Sequence, residues 1–250
     1  THKDYDKCIE ACNKVLECGK YSMETVRKNV FVTNNENSKE IIFALPFDET
    51  YVTDWNAFDF HMYSLQPENQ ATYNFKATPW GGACVLPQYI DSFDPDDQRL
   101  KDDFISGPQY DKNGGVLYCT MGNMKGKPLD YVNKVNSIDD SDENQGWRWG
   151  KFEYAEGITN RLSNDFPLLR YADVYLMKAE ALLRTGHADE AAELVTKVRE
   201  RNFTEHPAKA IVTGEQLQET SCYDYGRRDN VKSTHDQAII QYGRMLDELG

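Results

Sequence analysis

Four groups of residues in this 250-residue chain have types and spacings that can do chemistry. The first is aromatic: Trp55, Phe58, Phe60 and Tyr63, then Tyr73, Phe75 and Trp80, then Trp147, Trp149 and Tyr154. An aromatic plane matches the apolar C–H face of a pyranose ring, while neighbouring Asn, Gln, Asp or Arg side chains meet its hydroxyls. The same residues build cores, because each buries a large area, and that is the simpler use of the set as a whole. Trp80 differs from the others. It sits between Pro79 and the Gly81–Gly82 pair, where absent side chains leave room for a ligand to approach the indole. A purely structural turn is the competing use of that segment.

The second group is acidic: Asp91, Asp94, Asp96 and Asp97. The stretch lacks the glycine and terminal glutamate of an EF-hand loop, and a glycosidase carboxylate pair requires a separation that a sequence does not give. A capped, solvated turn accounts for these acids. The third, GNMKGKP from Gly122, is one residue too short between its glycines for a phosphate loop, and Pro follows Lys127 where Ser or Thr is required. The fourth comprises His and Cys. His2, His61, His187, His206 and His235 are scattered, and Cys8, Cys12 and Cys18 lack paired metal-ligand spacing. Burial as small hydrophobes explains these cysteines, whereas Cys84, Cys119 and Cys222 are candidates for a bridge in an oxidising compartment. No catalytic constellation, no cofactor motif and no metal site is expected.

Helices must carry whatever site exists. From Pro167, the run PLLRYADVYLMKAEALLRTGHADEAAELVTKVRER places Leu169, Ala172, Leu176, Ala179 and Leu183 at three- and four-residue steps, which is one buried helical face. Gly186 supplies a helix stop, and Ala188, Ala191, Val195 and Val198 repeat the spacing in a second helix. Small residues at Ala179, Ala191 and Ala192 let the two axes approach closely, as in a tetratricopeptide-type unit. An opening helix has Asp4 as its cap, Cys8, Cys12 and Val15 on its stripe, and Gly19 as its stop. A closing helix is expected from Ile239, Tyr242, Leu246 and Leu249 up to Gly250. Between them, Glu40 to Leu45 and Val116 to Cys119 are the strand candidates. Asn133 to Gly146, with IDDSDENQ at its centre, is expected to be exposed or mobile, since it offers little apolar area to bury. Residues 214–220 are expected to form a short helix.

With 41 acidic and 28 basic residues, the net charge of −13 opposes nucleic-acid phosphates and anionic membrane surfaces. The longest apolar stretch, Ile41 to Phe47, contains Pro46 and falls far below the ~20 residues that span a bilayer. The fold class expected is mainly α with long irregular loops and minor β. One domain covering 1–250 would use 4–18, 166–201 and 236–249 as a helical scaffold and about 21–164 as a loop-rich ligand side.

The chain resembles the SusD/RagB family, the surface nutrient-binding lipoproteins of Bacteroidetes-type bacteria. The hairpin from Pro167, ending in VRER around Arg199 and Arg201, carries the resemblance first. KCIEACNKVLECGKYSM from Lys7, SKEIIFAL from Ser38 and WGGACVLPQYIDSFDPDDQRL from Trp80 follow the family's order, and RMLDELG from Arg244 resembles the opening of its late helix. The resemblance implies a carboxy-terminal portion of a larger protein whose lipid anchor is absent from this chain. It further implies an outer-membrane, cell-surface location and tetratricopeptide-type helix pairs that face a TonB-dependent, SusC-like transporter. The loop side would hold an oligosaccharide or polysaccharide without catalysis, with Trp80 as the binding aromatic. Two alternatives stand beside this reading: a tetratricopeptide-like adaptor for proteins, suggested by the helices alone, and a glycoside hydrolase using acids near Trp80.

Overall fold

The computed structural model describes residues 3–52, 56–137, 139–224 and 240–249; Trp55, Ile239, Gly250, His2 and His235 lie outside them. In chain order the elements are helix α1 (Tyr5–Glu17), strand β1 (Ile41–Leu45), and the short helices α2 (Phe60–Ser64), α3 (Gln70–Tyr73), α4 (Pro87–Asp91) and α5 (Arg99–Asp102). Strands β2 (Phe104–Ile105), β3 (Gly107–Pro108), β4 (Asp130–Tyr131), β5 (Arg148–Trp149) and β6 (Phe166–Arg170) come next. Helices α6 (Tyr171–Arg184), α7 (Ala188–Arg199), α8 (Gly214–Gln218) and α9 (Gly243–Leu249) follow. The architecture is mainly α with minor β, as expected from the sequence.

The helical part forms as the apolar spacing dictates. Ala172, Leu176, Ala179, Leu182 and Leu183 of α6 are buried, and the last four meet Ala191, Ala192 and Val195 of α7. Ala179 and Ala191 are 0% exposed, so their methyl groups set the spacing of the two axes and any longer side chain there would push them apart. Gly186 turns the chain at φ +90°, in the left-handed region that glycine enters without a Cβ penalty. Helix α1 packs along α6, with Cys12 buried and the Tyr171 hydroxyl donating to the Leu16 carbonyl at 3.1 Å. Burial and the neighbouring Cys8 push the Cys12 thiol up to about 11, so it is an inert packing residue. The opening Asp4 does not cap: its backbone (φ −89°, ψ 68°) is not extended, and its carboxylate accepts from Lys7 Nζ at 2.6 Å instead.

Three expected boundaries move. The helix expected from Pro167 begins only at Tyr171, because Phe166–Arg170 pairs antiparallel with β1, from Ile41 opposite Arg170 to Leu45 opposite Phe166. Pro167 holds Phe166 out of the α region, and Leu168 consequently points outward, 48% exposed. The Asp173 carboxylate then accepts the Arg170 N–H at 2.7 Å and starts α6. Val116 to Cys119 is not a strand but carries two isolated bridges, Tyr110 with Val116 and Tyr118 with Pro128. The closing helix starts at Gly243, after Tyr242 has taken a left-handed φ of 59°. The short helix expected at 214–220 forms as α8, where Thr213 Oγ1 accepts from Gln216 N at 3.2 Å.

The irregular region has its own core. Val30, Phe31, Phe58, Leu65, Phe75, Phe152, Tyr154, Ile158 and Leu162 are buried together, with Phe58 and Phe152 edge to face at 4.7 Å. The two cores are joined by Glu40, whose side chain is 0% exposed. Its carboxylate forms an ion pair with Arg201 and accepts from the Glu24 N–H at 2.8 Å.

Candidate functional site

Helix α2 positions the site by burying one of its faces and exposing the other. His61 and Met62 are both 0% exposed, with the imidazole packed against Phe75 at 5.3 Å and Tyr154 at 5.6 Å. Burial lowers the His61 imidazole to about 4, which keeps the ring neutral inside that core. On the other side Phe60 and Tyr63 are about half exposed. The carbonyl of Met62 accepts the N–H groups of Trp80, at 2.7 Å, and Gly81, at 3.2 Å, while the Tyr63 carbonyl accepts from Ala83 at 2.8 Å. The Trp80 segment is thus fastened by backbone bonds to an element locked into the core.

Trp80 itself is 50% exposed and stands edge to face with Tyr63 at 4.8 Å and 77°. The glycines after it serve conformation and space. Gly81 and Gly82 have φ of +75° and +113°, and a Cβ on Gly81 would lie 2.7 Å from Gln66 Oε1. Beside the indole opens a cleft of about 460 Å³, walled by Trp80–Gly82, by Met121–Asn123 and by Asp140–Glu143, with Gln145 and Arg148 behind.

The acidic loop builds one of these walls, against the expectation that Asn133 to Gly146 is exposed or mobile. Glu143, Asn144 and Gln145 are buried. The polar groups of Glu143 and Gln145 are consumed internally, which is what burial demands. The Glu143 carboxylate accepts the N–H groups of Met121 (2.9 Å) and Thr120 (3.3 Å), and its carbonyl accepts from Gln66 Nε2 (3.0 Å) and Arg148 Nη2 (2.8 Å). Gln145 Oε1 accepts from Asn136 N at 2.8 Å, and its Nε2 donates to Asp142, which also accepts from Asn123 Nδ2. Burial raises the Glu143 carboxyl above its ordinary range, and the nearby Glu68 raises it further. Gly146 is needed where the loop returns: its φ is +77°, and a Cβ would lie 2.6 Å from Cys84.

Of the other aromatic candidates, Phe58, Phe75 and Tyr154 are core, and Tyr73 and Trp147 pack against core clusters. Trp149 is 41% exposed, near Phe60. The acids thought to lie near Trp80 do not line its cleft. Asp97 pairs with Arg99, Asp94 and Asp96 with Lys209 at 2.7 and 2.6 Å, and Asp91 accepts from Asn133. Asp94 Oδ1 and Asp97 Oδ1 also accept backbone N–H groups two residues on, from Asp96 and Arg99, the capped turn expected from the sequence, but Asp97 is buried against Arg99 rather than solvated. The cleft's polar residues Gln66, Asn123, Asp140, Asp142 and Gln145 escaped sequence reading, because they come from segments brought together only by folding.

All six cysteines are free, so no bridge joins Cys84, Cys119 and Cys222. No group of three or more His, Cys, Asp or Glu side chains suited to a metal occurs among the described residues. No described helix is long and apolar enough to cross a membrane.

Among curated proteins none matches the chain. Solved structures do. NanU of Bacteroides fragilis superposes with a TM-score of 0.59 at 17% identity, over 98% of this chain and 47% of that one. A SusD superfamily protein from the same species gives 0.53 at 19% identity, over 82% and 40%. Surface glycan-binding protein A of Bacteroides thetaiotaomicron, in complex with laminarihexaose, gives 0.56 at 13%, over 82% and 46%. At such identities the likeness is one of fold, and the chain spans less than half the length of each of these relatives. A model of the SusD family matches residues 39–221, from just before β1 to just beyond α8, and the chain therefore belongs to the SusD family.

Proposed function

We propose that this chain is part of a non-catalytic glycan-binding protein that holds an oligosaccharide against Trp80 and Tyr63. The carrying observation is the half-exposed Trp80 at the lip of a 460 Å³ cleft, fixed by backbone bonds to α2 and faced by amide and carboxylate side chains. A sugar face covers the indole while its hydroxyls meet Asn123, Asp142 and Gln66. Family membership and the glycan-binding neighbour support the reading. In the intact protein the loop side would face outward from the outer membrane, anchored by lipid. The helix pairs would dock on a TonB-dependent, SusC-like transporter and pass it the retained sugar. One domain portion covers 1–250, with the helices as its frame.

The test is calorimetry of a panel of oligosaccharides against the chain and Trp80→Ala. Covering the exposed half of an indole, about 100 Å² at about 25 cal/mol per Å², is worth about 2.5 kcal/mol and corresponds to a roughly 60-fold loss of affinity in the variant. Unchanged affinity for a glycan that binds the parent chain removes Trp80 from the site. Co-purification with a TonB-dependent transporter from the same cells tests the delivery step, and a soluble peptide partner retained in its place would favour the adaptor reading.

A further inference from the structure

The charged groups of the Trp80 cleft are unequal in sign and in access. Asp140 is exposed and Asp142 half-buried at the wall opposite the indole. Both oxygens of Asp142 accept from amides that also line the cleft, Asn123 and Gln145, at 3.2 Å, which aims the carboxylate without neutralising it. Arg148 is the sole cation lining the cleft among the described residues. Its residue is 2% exposed, its guanidinium lies 4.6 Å from the Tyr131 ring centroid, and Nη2 is spent on the Glu143 carbonyl. A ligand on Trp80 therefore meets two carboxylates and no accessible positive charge.

Resting on the reading of this cleft as a glycan site, we propose that it selects uncharged sugars, with Asp140 and Asp142 as the specificity-determining residues that reject carboxylated or sulfated ones. Ionised carboxylates are acceptors only. They suit sugar hydroxyls, which donate, and charge-assisted bonds of this kind are the stronger ones. An anionic substituent placed in the same cleft adds like-charge repulsion, while losing a donor. Selection of this kind works by penalising the wrong partner as much as by holding the right one. At a separation of several ångströms and an effective dielectric between those of water and a protein surface, the penalty is roughly ten- to a hundredfold in affinity.

The experiment uses β-1,3-glucose, β-1,4-glucose and β-1,4-mannose hexasaccharides, each beside the same chain with its C6 alcohols oxidised to carboxylates. Calorimetry is run at low and high salt on the parent chain, Asp140→Asn, Asp140→Asn/Asp142→Asn and Trp80→Ala. The parent chain is expected to prefer the uncharged form of whichever backbone binds by roughly tenfold or more, with the preference shrinking in high salt. The double variant is expected to lose most of that preference, and Asp140→Asn, which breaks no wall contact, to lose part of it. Equal or tighter binding of the oxidised form that still depends on Trp80 overturns the sign selectivity and leaves the glycan site standing. A preference unchanged in both Asp variants overturns the assignment to these residues. If no hexasaccharide binds, or Trp80→Ala binds both forms as the parent does, the reading of the cleft as a glycan site falls and this inference falls with it.

Discussion

The helical frame buries aliphatic side chains and the irregular region an aromatic-rich set, and the two are held by different forces. Along α1, α6 and α7 the contacts come from residues three and four apart on each helix, and backbone polar groups are satisfied within each helix. Between Arg27 and Asn164 the chain has little regular structure, and its buried backbone must find other partners. Among the described residues, every buried polar or charged residue except Asn202 lies in that interval. Asn164 Nδ2 donates to the carbonyls of Phe31 and Glu153, and Asn35 Nδ2 donates to those of Val30 and Asp165. Side-chain amides there substitute for a sheet. A frame built from local repeats tolerates exchange of its surface, whereas a region fastened by long-range polar bonds can present a varied surface only while each bond is kept.

The junction between the two regions should be the most sensitive place to break. Arg201→Met leaves the Glu40 carboxylate buried with, among the described residues, only Arg170 Nη1 at 3.9 Å as a counter-charge, and is expected to cost about 3–5 kcal/mol in urea denaturation. A loss below about 1 kcal/mol would show that the regions stand without this pair.

Acid should act next, and on the irregular side alone. His61 titrates near its ordinary value when unfolded but at about 4 when folded, so the unfolded chain binds the extra proton between those values. Stability is therefore full above about pH 6.5 and falls as the pH drops towards 4, by up to about 3 kcal/mol. Comparing parent and His61→Leu across that window isolates this contribution from that of the carboxylates. An identical pH slope in the two would refute it.

Within the frame, Ala191→Leu is expected to cost about 1–3 kcal/mol by forcing α6 and α7 apart. Within the irregular region, Asn164→Ala should cost about 1–3 kcal/mol by leaving the Glu153 carbonyl without its donor and the Phe31 carbonyl with only the Glu153 N–H. The two should differ in hydrogen exchange: the first variant loosening α6 and α7, the second releasing the amides around Phe31 and Glu153. Uniform loss of protection in both would mean that the regions unfold as one unit.

Trp80→Ala is the smallest perturbation of stability, about 1 kcal/mol or less for a side chain half in solvent. Differential scanning calorimetry checks it. A large drop in melting temperature would make Trp80 a packing residue and blur the division between frame and binding surface.

Several features were legible in the residues themselves. The α6–α7 pair, its glycine turn and its alanine seam follow from a spacing that holds whatever lies beyond the hairpin, and β1 follows from its β-branched, aromatic run. Even there Pro167 misled, because periodicity counted Leu169 into a helix that strand pairing with β1 excludes. Trp80 was marked out by its glycines, but its exposure depended on Met62, eighteen residues away in sequence. The acidic segment from Asn133 departs from its composition: composition measures the apolar area a segment can bury, whereas Glu143 and Gln145 are buried through hydrogen bonds to Met121, Gln66 and Asn136.

The sequence by itself determined the helical frame, the family and a single aromatic worth testing, because these depend on short-range periodicity and on side-chain type. Only the tertiary structure decided which polar groups face that aromatic and which sign of charge the cleft presents. Asp94 and Asp97 lie nearer Trp80 along the chain than Asp140 and Asp142 do, yet the latter pair lines the cleft. Proximity in an irregular region is set by where each buried donor and acceptor finds its partner, and that is a property of the whole folded chain.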